Sequence, residues 1–202
     1  MKNIKKKDLI LGIIFIVLGI ILDQIIKIIV RAKMEVGDSI DLINNFFSIT
    51  HVENTGAAWG GFSGYTILLL LVSFVILGFF IYMFRNINFK KRMVFSISLV
   101  LVISGTIGNM IDRIVFRSVT DFLDFIIFAY DFPVFNIADI LLVVGFFLFI
   151  IDMIFISTDE KLKQLEKEES NNELVEENND STDTDLIEEE KEDIDEGRNW
   201  NS

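Results

Sequence analysis

Residues 9–29 read LILGIIFIVLGIILDQIIKII: apolar or glycine through Leu22, then the same greasy run with Asp23, Gln24 and Lys27 set into it. A hydrocarbon core of about 30 Å needs about 20 apolar residues in a helix. This stretch meets that length. Three more do so further along: residues 65–84 without a charge, 93–111 without a charge but closing on a polar Gly-Asn, and 136–156 with Asp139 near one end and Asp152 near the other. Lipid offers a backbone no hydrogen bonds, and the runs lack the alternation of a barrel strand, so they are read as helices. The reading is an all-α membrane protein of four transmembrane helices. Residues 9–29 are kept as a span rather than a removable leader, because Asp23-Gln-Ile-Ile-Lys27 stands where a small-residue cleavage site would be needed.

Composition sharpens this. The 202 residues are 51% hydrophobic, with mean hydropathy +0.49. There is one proline and no cysteine, which removes disulfides, thiolate nucleophiles and cysteine metal sites together. The net charge of −12 is unevenly spread. Residues 157–202 hold 18 acidic and 5 basic side chains, so residues 1–156 carry only +1. The chain divides into a membrane body, 1–156, and an acidic tail, 157–202. The tail is expected to be a short helix over Glu160–Glu168 and otherwise disordered, since its composition cannot bury a core. Without a basic face, nucleic-acid binding is excluded.

Lysine and arginine near span ends set direction. Lys2, Lys5, Lys6 and Lys7 precede the first span, and Arg85, Lys90, Lys91 and Arg92 lie between the second and third. The other two connections carry only Arg31, Lys33, Arg113 and Arg117. Both termini are therefore expected in the cytoplasm. Asp23, Asn109, Asp112, Asp121 and Asp139 then converge on one depth at the outer end of the bundle.

The outer connections differ in character. Residues 30–64 hold two short β-prone runs joined at Asn44-Asn45, and are expected to form a small extracytoplasmic antiparallel sheet. Residues 112–135 are unusually greasy, with Phe122, Leu123, Phe125, Phe128, Phe132 and Phe135 among them, and read as an apolar interfacial segment. Packing of these residues on the bundle accounts for the same composition equally well.

Elimination narrows the chemistry. A serine–histidine triad needs a histidine at the site, and the single one, His51, falls in an outer β-prone run, where it is a surface or packing residue. One histidine and no cysteine leave too few ligands for zinc. Lys27 follows Asp23 by one helical turn, which suits an ion pair better than a serine–lysine dyad. Carboxylates remain. An acid inside or beside a membrane is costly and usually functional. Two that share a proton can serve as base and acid. Asp121 and Asp139 are the candidates. Asp139 also suits a cap at the start of the last span, and Asp121 a surface loop.

Five blocks, in order, carry a resemblance: Asp23-Gln-Ile-Ile-Lys27, Asn54-Thr-Gly-Ala-Ala58, Gly105-Thr-Ile-Gly-Asn-Met-Ile-Asp-Arg113, Val119-Thr-Asp-Phe122 and Phe135-Asn-Ile-Ala-Asp139. Over about Leu9 to Phe155 the chain resembles the lipoprotein signal peptidase, or signal peptidase II, family. The resemblance implies a bacterial cell-membrane aspartic endopeptidase working at the outer face. It would remove signal peptides from diacylglyceryl-modified prolipoproteins, cutting just before the lipidated cysteine. It would make Asp121 and Asp139 the catalytic pair, with Asp23, Lys27, Asn54, Gly56, Asn109, Asp112, Arg113 and Asn136 supporting the site or binding substrate. It implies no metal or other cofactor, contact with membrane lipids, sensitivity to globomycin-type inhibitors, and a monomer. Trp59-Gly60 departs from a common Phe-Ser, Ile140 stands where a small polar residue is usual, and the tail is longer than the family needs.

Two rivals are weaker. A proton relay through Asp23, Lys27, Asp139 and Asp152 would need polar groups at mid-membrane, and Ile140–Ile151 offers none. A presenilin-type protease would need Tyr-Asp and Gly-x-Gly-Asp inside the spans, and neither occurs.

Overall fold

The computed structural model describes residues 6–56, 64–128 and 130–155. The expectations for the tail, for Trp59-Gly60 and for Ala57-Ala58 lie outside the described residues. Among the described residues there are four helices long and apolar enough to cross a membrane: α1 (Lys6–Lys33), α2 (Thr66–Phe84), α3 (Met93–Phe116) and α4 (Ile137–Phe155). Between them lie β1 (Ser39–Ile43), β2 (Phe47–Asn54), β3 (Val119–Ile127) and β4 (Tyr130–Asp131).

Helix α3 is the centre. Most of its residues are buried, and it packs on α1, α2 and β3, while α1, α2 and α4 keep broad apolar faces exposed. Lipid is as apolar as leucine, so close packing rather than water exclusion must hold such helices together. Small residues permit it. A Cβ on Gly105 would come within 2.4 Å of the Ala138 carbonyl oxygen, and one on Gly145 within 2.9 Å of the Val102 nitrogen. Helix α1 buries a single stripe, Gly12, Ile16, Asp23, Lys27 and Val30. Away from the sheet, Ile16, Phe80, Phe84, Ile87, Phe95, Leu99 and Phe149 form the main apolar core. There the Phe80 ring meets Phe146 and Phe149 edge-on, at 5.4 and 5.3 Å. Hydroxyls inside α3 are satisfied locally: Ser104 Oγ donates to the Val100 carbonyl at 2.6 Å, and Thr106 Oγ1 to that of Val102 at 2.7 Å.

The four strands form one antiparallel sheet in the order β1-β2-β3-β4. The β1–β2 hairpin turns at Asn44-Asn45 as expected, with Asn45 left-handed (φ 56°). Several features differ from the sequence reading, beginning with α1, which runs from Lys6 to Lys33 rather than over 9–29. Helix α3 runs on to Phe116, so Asp112 and Arg113 are helical rather than in a loop. The greasy 112–135 segment supplies β3 and β4 to the same sheet, its apolar rings stacking across strands: Phe125 lies 4.5 Å from Phe47 and 5.7 Å from Phe135. Asp121 is thus a strand residue, 2% exposed, and not a surface-loop acid. Beside it the β2–β3 register slips. Ile49 pairs with Leu123 and Val52 with Asp121, so β2 carries one extra residue there. Such bulges re-aim side chains, and they recur near active sites.

Candidate active site

The sheet end of the bundle brings polar groups from α1, β2, α3, β3 and α4 into one hydrogen-bonded cluster. Its root is Lys27, wholly buried. The ammonium lies 2.9 Å from Asp23 Oδ2 and 3.3 Å from Asp112 Oδ2, both carboxylates also fully buried, and donates to Asn109 Oδ1 at 3.0 Å. The ion pair expected between Asp23 and Lys27 is therefore present, but it belongs to a larger network. Unpaired, either charge would be prohibitive in this setting. Asp23 also accepts from the Ala138 backbone nitrogen at 2.9 Å, fastening α1 to the start of α4.

Asp121 and Asp139 are reached through three asparagines. Asn54 Nδ2 donates to Asp121 Oδ2 at 2.9 Å, and Asn136 Nδ2 to Asp121 Oδ1 at 2.6 Å. Asn109 Nδ2 donates to Asp139 Oδ1 at 2.7 Å, and the Asn136 backbone nitrogen to Asp139 Oδ2 at 3.1 Å. All four oxygens of the pair are thereby held. Asn136 does more. Its Oδ1 accepts from the Asp139 nitrogen at 3.0 Å, so the two residues cap α4 reciprocally, with Asn136 as the N-cap and Asp139 three residues on. The capping role considered for Asp139 is real, and it leaves the other carboxylate oxygen to face Asn109. Strand β3 also bonds the chain just before the cap: Leu123 N donates to the Phe135 carbonyl at 2.8 Å, and Phe135 N to that of Leu123 at 3.0 Å. This pairing sets Asn136 beside Asp121.

Burial is the main force on the Asp121 carboxyl, and the neighbouring Asp139 charge adds to it. Together they push its pKa up to about 7, against the pull of the Asn54 and Asn136 amides and the Lys27 charge. Such an acid is half-protonated near neutrality, as a proton-sharing pair requires.

The pair opens on a cleft of about 530 Å³. Asn54, Gly56, Asn109 and Arg113 line its polar side, and Phe132, Phe135, Ile140, Leu142, Val143 and Val144 much of the rest. That size suits a small-molecule or peptide ligand. Arg113 Nη2 donates to the Gly56 carbonyl at 3.3 Å, and the Gly56 nitrogen donates to Asn54 Oδ1 at 2.9 Å. All ten residues singled out from the sequence therefore meet here.

Three further members were not singled out. Gln24 Nε2 donates to Asp23 Oδ2 and the Gly108 carbonyl, both at 3.1 Å, and to Asp112 Oδ1 at 3.3 Å. Arg31 and Thr120 bond each other at 2.7 Å. Gln24 and Thr120 sit inside quoted blocks, so their position was the available signal. Arg31 lies outside every block. His51 stands apart: it is buried, with Nδ1 3.0 Å from the Met34 carbonyl oxygen. Asp152 pairs with Arg92 at the opposite end of the bundle, which removes it from any relay with Asp139.

Four helices long and apolar enough to cross a membrane, with a polar cluster at one end, fit a multi-pass membrane protein. The chain's relatives agree. Residues 15–155 match the family described as Signal peptidase (SPase) II. Two lipoprotein signal peptidases of Staphylococcus aureus, from strains bovine RF122 / ET3-1 and JH9, are each 37% identical over 154 residues, covering 76% of this chain and 94% of theirs. Two solved structures, both described as bacterial membrane enzymes, superpose with TM-scores of 0.67 and 0.63 at 36% and 38% identity. They cover 73% and 70% of this chain and 90% and 91% of theirs. The chain belongs to the signal peptidase II family of proteases.

Proposed function

We propose that this protein is an aspartic endopeptidase that removes the signal peptide from diacylglyceryl-modified prolipoproteins, cutting just before the lipidated cysteine. Asp121 and Asp139 are the catalytic pair. One observation carries the reading: two carboxylates, each oxygen held by an amide of Asn54, Asn109 or Asn136, stand together at the head of a largely apolar cleft.

The chemistry follows from a pair holding one proton. The ionised carboxylate takes a proton from a water, which adds to the scissile carbonyl. The protonated partner gives its proton to the carbonyl oxygen, forming a neutral tetrahedral diol. The first carboxyl, now protonated, passes its proton to the leaving amine as the C–N bond breaks. The second recovers a proton from the collapsing hydroxyl. The amides keep both carboxylates aimed throughout, and this preorganisation is what lowers the barrier. Asp23, Lys27, Asp112 and Asn136 hold the frame, and Arg113 and Gly56 border the substrate. The apolar walls suit a substrate that arrives with acyl chains attached.

The site works at the outer face, with both termini cytoplasmic, as the Lys and Arg distribution supports. The body, 1–156, acts as a monomer in contact with lipid, and a globomycin-type inhibitor would occupy the cleft. The test uses purified protein in detergent and a diacylglyceryl-modified prolipoprotein peptide. Wild type should cut before the modified cysteine, while Asp121→Asn and Asp139→Asn should fold and be inert. Near-full activity in either variant would overturn that residue's assignment.

A further inference from the structure

Asp121 is gripped one residue upstream of its own side chain. The Thr120 backbone nitrogen donates to Asp112 Oδ2 at 3.0 Å, tying β3 to α3. The Thr120 hydroxyl accepts from Arg31 Nη1 at 2.7 Å, tying the same residue to the end of α1. The guanidinium is itself well fixed. It lies 3.4 Å from Asp112 Oδ1 and 4.3 Å over the Phe116 ring, with its side chain 18% exposed. A planar cation held by a carboxylate and a ring is far more directional than an ammonium would be. The contacts form a closed loop from Arg31 through Asp112 and the Thr120 nitrogen, back through the Thr120 hydroxyl. Among the described residues, the Arg31–Thr120 bond is the one hydrogen bond that joins the 119–121 stretch to α1.

We propose that Arg31 and Thr120 form a clip that sets the depth of Asp121 in the cleft, making both positioning residues for the reaction. The inference rests on the proposed catalytic pair. Neither residue lines the cleft, so the clip acts on the placement of the carboxylate and not on substrate binding. Displacing a reacting group by about 1 Å can cost about a hundredfold in rate. Losing one of two anchors, with Asn54 and Asn136 still bonded to the carboxylate, should cost about tenfold.

The test is a double-mutant cycle on the full chain in detergent, with kcat and KM measured on a lipidated prolipoprotein peptide well below the thermal midpoint. Arg31→Ala and Thr120→Val should each lower kcat about tenfold with KM unchanged. The double variant should be no worse than Arg31→Ala alone, since both singles already break the Arg31–Thr120 bond. Thr120→Ser, which restores the hydroxyl, should recover the rate. Thr120→Val is nearly isosteric and so keeps the fold if Arg31→Ala does not. Additive losses, a change confined to KM, or a fall in thermal midpoint without a fall in kcat would each overturn the clip. Asp121→Asn is run alongside. If it is as active as wild type, the catalytic pair is wrong. If it is inert while Arg31→Ala and Thr120→Val match wild type, only the clip is.

Discussion

At the residue scale the decisive quantity is the proton on the aspartate pair. Burial, with the Asp139 charge behind it, favours the neutral form of Asp121 and raises its pKa to about 7. The folded chain therefore binds more protons than the unfolded one between the usual carboxylate value and about 7, and stability falls as pH rises through that window. At about 1.4 kcal/mol per pKa unit, the loss is on the order of 4 kcal/mol by pH 8. The thermal midpoint in detergent should drop from pH 5 to pH 8, and Asp121→Asn should flatten the drop. Activity should likewise fall above about pH 7, as the second carboxyl ionises and no acid remains. Lys27 decides a second test. Lys27→Met leaves Asp23 buried without a counterion and Asp112 with Arg31 alone, which costs about 3–5 kcal/mol. Protein recovered from membranes should fall sharply, or its thermal midpoint should. Asp23, Asn109, Asp112, Asp121 and Asp139 were legible because an acid or amide in an apolar run advertises itself, while Asn54, Gly56 and Asn136 came only with the five motif blocks. Arg31 was not legible, because an arginine at a span end looks like an ordinary flank. What distinguishes it is Thr120, 89 positions away.

At the element scale, spans were visible from length and hydropathy, but their ends and partners were not. The apolar run of the third span stops at Ile111, where Asp112 and Arg113 interrupt it, yet both side chains find partners and the helix continues to Phe116. The 112–135 segment was recognised as apolar without its strand pairing, since β3 finds its partner β2 some 70 residues earlier. Hydropathy also hid which helix sits in the middle. The answer lies in Gly105 and Gly145, where α3 and α4 nearly touch. Gly105→Ala would push against the Ala138 carbonyl and displace the first turn of α4, carrying Asn136 and Asp139 with it. Activity should fall about a hundredfold, more than the change in thermal midpoint would suggest. Gly78→Ala is the contrast. Nothing lies within 4 Å of its added methyl, so rate should hold and stability rise slightly.

At the scale of the whole molecule, the site draws on α1, β2, α3, β3 and α4. Removing the residues after Lys163 should leave the cleavage rate within about twofold in a membrane assay, since no step is routed through them. A large loss would assign the acidic tail a part in catalysis. The buried Lys27 cluster also has a history in time. The ribosome makes α1 first, and Asp112 follows Lys27 by 85 positions. At about 5–20 residues per second, α1 waits on the order of ten seconds for α3. Asp23, one turn from Lys27 on the same helix, neutralises it during that wait. The apolar stretch of the nascent first helix, residues 9–29, can therefore enter the bilayer without net charge, and recruit Asp112 and Asn109 only when the third is delivered.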